Sequence, residues 1–541
     1  MIECSVNELC KSYGTNNLFE RISFQLAKGE RVGLIGHNGC GKTTLMKILM
    51  GLESPDSGTI SIRKDARLGY LEQIPIYEEE VTTYEVLLLA FQKIIEMKKT
   101  MESYEHRLAC VEGKELEIIM ERYGRCMEEF ERLGGYEVDT KINMVCQGLN
   151  ISEHMKTMSF EGLSGGEKTR VILGRLLLEA PDILLLDEPS NHLDLESIQW
   201  LENFLREYKG TVFLISHDRY FLDQVVTKIY ELTKTEMSVY LGNYSSYVVE
   251  KEERYMVDLK RFENQQKQLE RIKEQIHRYR VWGAMRDSDV MYKRAKELEK
   301  RLERITVLDK PVLENERIQL DIRIEKRSGK QVIMVKDIKK SYGDNILFQN
   351  GEFTIYYQDS VCLMGPNGSG KTTLIKLLLG EVVHDQGEVR FGAEVKIGYL
   401  PQQVVFEKEE RTLVEYFSYE HGISQGAARG ALAKLLFIKD NVNRQIKHLS
   451  GGEKSRLKLC SLIYEKVNVL ILDEPTNHLD IESREELEEA LMSFEGTLFF
   501  VSHDRYFIEK VASKIMCIED KRLKLYPFCY RVFLEELQKR V

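Results

Sequence analysis

The sequence predicts an α/β fold built from two similar domains in tandem, joined by a helical hairpin. Three observations predict it. A glycine-rich stretch, GHNGCGKT at Gly36–Thr43, returns as GPNGSGKT at Gly365–Thr372. LSGGE at Leu163, LLLDEPSNHLD around Asp187 and SHDRYF at Ser216 return at Leu449, around Asp473 and at Ser502, each 286 residues on. Between the copies, residues 246–325 carry apolar side chains at three- and four-residue steps with charges between them, the pattern of a coiled coil.

Residues 1–245 form the first expected domain and 326–541 the second. Each opens on short β-type runs, and RVGLIG or DSVCLMG then feeds the glycine-rich loop. TTLMKILMGL and TTLIKLLLG follow as helices, each stopped by glycine. Lys42 and Lys371 lie 329 residues apart, so the first copy holds 43 more residues between loop and LSGGE. Most of these belong to a proline-free stretch at about 84–133, expected to form two antiparallel helices turning near Val111 to Gly113. A long insertion at one point of a compact domain is more often a binding device than decoration.

In the expected hairpin, Tyr255, Leu259, Phe262, Leu269, Ile272, Ile276 and Tyr279 mark the seam of the first arm, and Met291, Ala295, Leu298, Leu302 and Ile305 that of the return. VWGAMRDSDV, residues 281–290, breaks the pattern and predicts a non-helical tip with Trp282, Met285 and Arg286 at its end. From Lys267 to Arg304 there are twelve Lys and Arg against seven Asp and Glu, whereas the whole chain has a net charge of −10. A basic protrusion on an acidic protein suggests a polyanion at its tip.

At 541 residues with 30% charged and 43% hydrophobic residues the chain has the composition of a globular protein. No run of 18 apolar residues occurs, and the N-terminus lacks a basic segment followed by an apolar one. These features predict a soluble, cytoplasmic protein with no membrane part. Ten cysteines without CxxC spacing read as small buried residues in a reducing compartment.

The repeated motifs carry the chemistry. In G-x-x-x-x-G-K-T the glycines let backbone N–H groups turn toward phosphate oxygens at a helix N-terminus. Gly36, His37, Asn38, Gly39, Cys40, Gly41, Lys42, Thr43 and Thr44 form the first such cradle. Gly365, Pro366, Asn367, Gly368, Ser369, Gly370, Lys371, Thr372 and Thr373 form the second. The lysines supply charge for the β- and γ-phosphates, and the hydroxyls of Thr43 and Thr372 are Mg²⁺ ligands. Cys40 stands where the second loop has Ser369, and its thiol is expected to face the nucleotide cavity. Asp187 and Asp473 each end a run of four apolar residues, as at the carboxyl end of a buried parallel strand, and are the expected carboxylate ligands of Mg²⁺. Glu188 and Glu474 follow as the groups that polarise the attacking water, with His217 and His503 reaching the γ-phosphate. Gln73 and Gln402, in GYLEQ and GYLPQ, are placed to touch Mg²⁺ or the water. Tyr13 and Tyr342, in the repeated KSYG, can stack on an adenine. Ser164, Gly165, Gly166 and Ser450, Gly451, Gly452 open two further helices as a second anion site.

Glycine-rich loop, Gln loop, LSGGE, LLLDE strand and SHD switch, in that order, resemble the ATP-binding cassette family over both halves. The resemblance implies two P-loop NTPase domains meeting head to tail in a monomer. ATP on Lys42 would be closed over by Ser450 and ATP on Lys371 by Ser164, giving two ATP and two Mg²⁺ per chain. Two cassettes in one chain, an insertion in the first only, EPSNHLD and EPTNHLD, and a charged helical linker of about 80 residues resemble the ABC-F group. That group binds the ribosome at its tRNA exit site, and its linker touches the P-site tRNA and reaches the peptidyl transferase centre. rRNA and tRNA are therefore the implied partners, and DNA is not, since zinc-binding Cys pairs and a DNA clamp domain are missing from the sequence. The tip RVWGAMRDSDVMYKRAKELEKRLER, with Trp and Met between helices, looks more like the antibiotic-resistance branch than the housekeeping one that aids stalled ribosomes. A rival from another class is the ATPase subunit of an exporter with a separate membrane partner.

Overall fold

The computed structural model describes all residues except 15, 72–80, 109–110, 112–113, 192, 234–235, 287–288, 306, 309, 311–326, 344, 367, 434–436, 438–441, 477–478, 480 and 539–541. The chain divides into two compact units. One comprises Met1–Val239 with Ile318–Val541 and holds both repeats; the other is Tyr240–Arg317.

Each repeat is an α/β domain with two sheets. In the first, parallel strands lie in the order Leu68–Tyr70, Ile183–Asp187, Thr211–Ile215, Arg31–Ile35, Lys228–Leu232. In the second the order is Ile397–Leu400, Val469–Asp473, Thr497–Val501, Ser360–Met364, Lys514–Glu519, with Arg522–Tyr526 antiparallel at the edge. The inner strands are mostly apolar because both of their faces are covered; Thr211–Ile215 and Thr497–Val501 are buried at every position. A three-stranded antiparallel sheet packs beside each, with Ile2–Tyr13 between Asn16–Ala27 and Ser57–Ile62, and Gln331–Tyr342 between Asn345–Tyr356 and Gln386–Phe391. Leu34, Leu45, Met46 and Phe213 centre the core between the first pair of sheets, and Leu363, Ile375 and Phe499 the second. The predicted fold class is the observed one.

The strand that feeds each glycine-rich loop is central, so the loop emerges where neighbouring strands also end. This is the crevice at which open α/β sheets bind ligands. The first repeat also carries helices Gln92–Leu108 and Lys114–Arg132, which pack on each other. The turn expected between them lies largely outside the described residues.

In the second unit, helix Tyr244–Arg286 packs on helix Asp289–Glu303. The helix starts two residues before the expected boundary at 246, and the expected end at 325 lies outside the described residues. Ile272, Ile276 and Ala295 are buried in the seam, flanked by Tyr279, Leu298, Leu302 and Ile305, and Leu269 is buried too. The expectation of a non-helical tip over 281–290 is corrected: helix continues through Arg286 and resumes at Asp289. The stretch has no proline, and Gly283 within it serves packing. A Cβ there would lie 3.1 Å from the ring of Tyr292 on the opposite helix. Trp282 is 46% exposed and Met285 78% exposed, so neither is core. The side chain of Arg286 lies outside the described residues.

Candidate nucleotide sites

The glycines of the two loops adopt nearly the same backbone conformation. Gly41 and Gly370 start their helices at φ 98° and 102°, in the left-handed region that glycine enters freely. At Gly36 a Cβ would lie 2.5 Å from the carbonyl oxygen of Leu232, so a side chain is excluded. Lys42 Nζ donates to the carbonyls of Gly36 and His37 at 2.6 and 3.0 Å, and Lys371 Nζ to those of Gly365 and Pro366 at 2.7 and 3.1 Å. Both ammonium groups are thus held inside the loop that would wrap a phosphate chain. Burial pulls Lys371 below the usual lysine range.

Thr43 Oγ1 donates to Asp187 Oδ2 at 2.7 Å, and Thr372 bonds Asp473 in the same way. A hydroxyl and a carboxylate side by side at a phosphate-binding loop form the oxygen donor set that Mg²⁺ takes together with substrate phosphates, so the residues fit the ion. Burial raises both carboxyls, Asp473 to about 6.

Glu188 and Glu474 share a feature that the sequence did not reveal: each has φ 50°, a left-handed conformation in a non-glycine residue. Such strain persists where the surrounding structure over-determines it, commonly at working sites. The backbone N–H of each glutamate is tied to the neighbouring strand, at Ile215 O and Val501 O, both 3.0 Å. Each side chain faces the histidine of its own switch: His217 N donates to Glu188 Oε2 at 3.3 Å, and His503 Nε2 is 3.4 Å from Glu474 Oε1. Burial pushes both glutamates up to about 7. Burial, with Lys371 nearby, pulls His503 down to about 4, so it is a neutral imidazole at pH 7.

A stability prediction follows for nucleotide- and Mg²⁺-free protein. Below about pH 4.5 the glutamates are protonated in both folded and unfolded chains. As pH rises, the unfolded chain ionises first while the folded one holds its protons to about 7, so stability falls across that window and levels off above it. Glu188→Gln with Glu474→Gln should flatten this dependence and stabilise the apo protein at pH 8 by a few kcal/mol. Melting temperatures at pH 5 and 8 in chelator check it; equal slopes for parent and variant would contradict it.

Two cavities contain these groups. The one at the second loop, ≈ 620 Å³, is walled by Lys371, Thr372, Asp473, Glu474, His503, Gln402 and Tyr342, and by Ser190, Asn191 and Asp218 of the first domain. The one at the first loop, ≈ 420 Å³, is walled by Lys42, Thr43, Asp187, Glu188, His217 and Tyr13, with Arg484 from the second domain. Tyr13 and Tyr342 sit at the rims, about half exposed. Gln73 and Asn367 lie outside the described residues.

One expectation is corrected. Cys40 is buried and does not line the cavity. Between two glycines of positive φ its side chain turns toward the core, with the sulfur 3.0 Å from where a Cβ on Gly36 would stand. Ser164 and Ser450 line neither cavity. Each instead caps its own helix, accepting from Glu167 N at 3.4 Å and Glu453 N at 3.2 Å in capping boxes that continue into Gly165–Gly166 and Gly451–Gly452.

The domains meet through residues that sequence reasoning passed over. Arg219 donates to Glu488 across the interface, and Arg505 donates to both carboxylate oxygens of Glu202, at 3.1 and 3.3 Å. All four are buried. Each guanidinium also lies over a tyrosine of the other domain, Arg219 over Tyr506 and Arg505 over Tyr220, at 5.1 and 4.6 Å. The Arg–Tyr pair after each switch histidine was visible in the repeated SHDRYF, but it repeats for assembly as well as for the site.

Duplicated phosphate loops, buried Asp–Glu pairs at strand ends and switch histidines on two such sheets define an ATP-binding cassette ATPase. Family models described as "ABC transporter" match residues 19–191 with 348–477, and 230–322. ABC transporter F family member 5 of Arabidopsis thaliana is 36% identical over 97% of this chain and 76% of its own length. Ribosome protection protein VmlR of Bacillus subtilis (strain 168) is 34% identical over 94% of this chain and 85% of its own. The solved structure of RNase-L Inhibitor superposes with a TM-score of 0.61 at 20% identity, covering 99% of this chain and 93% of that one, a likeness of fold. The chain belongs to the ATP-binding cassette family and, within it, to the ABC-F group.

Proposed function

We propose that this ABC-F ATPase works on the ribosome: it enters the tRNA exit site, presents its helical hairpin to rRNA and the P-site tRNA, and protects translation from drugs bound near the peptidyl transferase centre. The observation that carries this reading is the hairpin itself. It is a separate compact unit with a buried seam, and it ends in an exposed Trp282 and Met285 between basic shafts. Stacking groups flanked by cations are the means by which proteins hold exposed nucleotides. The likeness to VmlR, a protein named for ribosome protection, supports the same reading.

The site residues take the following roles in this account. Two ATP molecules bind, one per cavity, with Lys42 and Lys371 neutralising the β- and γ-phosphates and Tyr13 and Tyr342 against the adenines. Thr43 with Asp187, and Thr372 with Asp473, would hold Mg²⁺, which would supply positive charge to the phosphate oxygens; Gln73 and Gln402 are proposed as further ligands. Glu188 and Glu474 accept the proton of the attacking water, and His217 and His503 hydrogen-bond the γ-phosphate. Closure would bring Ser450 to the ATP on Lys42 and Ser164 to the ATP on Lys371. The two cassettes form an intramolecular dimer within a cytoplasmic monomer. Among the described residues no helix is long and apolar enough to cross a membrane.

Trp282→Ala, or removal of a few residues around Met285 and Arg286, should leave ATP hydrolysis and ribosome binding within about twofold of the parent. The same changes should abolish protection of a drug-sensitive host against lincosamides, pleuromutilins and streptogramin A. Full protection by a variant that still hydrolyses ATP and binds ribosomes would remove the tip from the mechanism and favour a housekeeping translation factor.

A further inference from the structure

Arg484 belongs to the second cassette, on helix Ile481–Met492, yet it lines both nucleotide cavities. Its side chain is buried. Nε donates to the carbonyl of Leu479 at 3.1 Å, and Nη1 donates to the carbonyl of His217 at 2.9 Å and to Asp504 Oδ2 at 3.0 Å. His217 is the switch histidine of the first cassette; Asp504 follows the switch histidine of the second.

The crossed pairs Arg219–Glu488 and Arg505–Glu202 obey the 286-residue repeat, but Arg484 does not. The repeat places Ile198 at the corresponding position, buried on the wall of the larger cavity. A hydrocarbon side chain donates no hydrogen bond, so Ile198 cannot hold His503 as Arg484 holds His217. The charge environment differs in degree: Arg484 is the strongest positive neighbour of Glu188, whereas at Glu474 it ranks behind Lys371 of that glutamate's own loop.

We propose that Arg484 is a positioning residue acting from the second cassette on the first site: by holding the His217 carbonyl it keeps that histidine in register with Glu188, and the second site has no equivalent. First-site hydrolysis therefore depends on contact between the cassettes in a way that second-site hydrolysis does not. The kinetic part rests on the roles proposed above for Glu188 and Glu474.

The test uses the full-length protein with Arg484→Ile, which copies Ile198, and Arg484→Lys, each placed in Glu474→Gln, where the first site alone turns over, and in Glu188→Gln, where the second does. Arg484→Ile should lower kcat at least about tenfold in the first background with KM within about threefold, and change kcat less than about threefold in the second. Arg484→Lys should recover part of the loss. Amide exchange of residues 216–222 should accelerate at least about tenfold in Arg484→Ile, while residues 200–206, whose Glu202 crosses the interface to Arg505 and not to Arg484, change less than about threefold. A residue that merely holds the interface together would affect both sites and both segments alike. Equal effects at the two sites, equal exchange in the two segments, or no change in either measurement overturns the proposal. Exchange needs no hydrolysis, so it decides the role of Arg484 even if the glutamate assignments fail.

Discussion

Glu188→Gln combined with Glu474→Gln should leave ATP binding intact and lower hydrolysis by about 10²-fold or more, the usual effect of losing a general base. The geometry explains why binding survives. A glutamine carbonyl oxygen can still accept from His217 N, now 3.3 Å from Glu188, and the loop lysines and the Thr–Asp pairs are untouched. What is lost is the proton acceptor. Burial holds each glutamate at about 7 in the empty site, so each is poised to exchange a proton near neutral pH. Steady-state ATPase assays with nucleotide-binding titrations provide the check. A double variant that keeps more than about a tenth of the parent rate contradicts the assignment.

The second large effect is expected at the interface. Glu488 accepts from Arg219 and also from Lys510 Nζ at 2.9 Å, with Asp504 3.9 Å from Arg219. Glu488→Ala removes the closest carboxylate of a buried guanidinium, leaving it Glu485 at 3.5 Å and Asp504 at 3.9 Å, and should destabilise the protein toward the lower end of roughly 3–5 kcal/mol. Arg219→Ala should cost less, because Lys510, half exposed, still serves the carboxylate. Replacing both by apolar residues, Arg219→Met with Glu488→Leu, should recover most of the loss, since the expensive state is one buried charge without its partner. Denaturation of the single and double variants measures this directly. Additive losses would show that the two groups do not depend on each other.

The sequence was informative wherever a local conformation dictates residue type. Gly36, Gly41 and their counterparts are required by backbone geometry, Asp187 and Asp473 by the end of a buried strand, and the hairpin seam by helical period. It was misleading where packing across space decides. The break in the apolar pattern over 281–290 suggested a non-helical tip, but helix runs through Arg286, with Gly283 packed close to Tyr292 of the opposite helix. Cys40 was expected in the cavity from its place in the loop, yet two flanking left-handed glycines turn it inward. Arg219 and Glu488 stand 269 residues apart, and no periodicity links them. Arg484 differs from its repeat partner by a substitution that means nothing until His217 is seen beside it. The serines of LSGGE illustrate a further limit: the capping box that seats Ser164 and Ser450 is local and legible, while their proposed approach to the opposite ATP depends on how the two cassettes close.

The central claim, that two ATP sites drive a ribosome-directed hairpin, is tested most directly by sedimenting the Glu188→Gln, Glu474→Gln protein with 70S ribosomes through sucrose, with and without ATP. The account predicts that the protein travels with the ribosome when ATP is present, at about one copy per particle, and stays at the top of the gradient without it. Protein that remains at the top in both conditions, or that instead partitions with membranes from a cell lysate run in parallel, would contradict it.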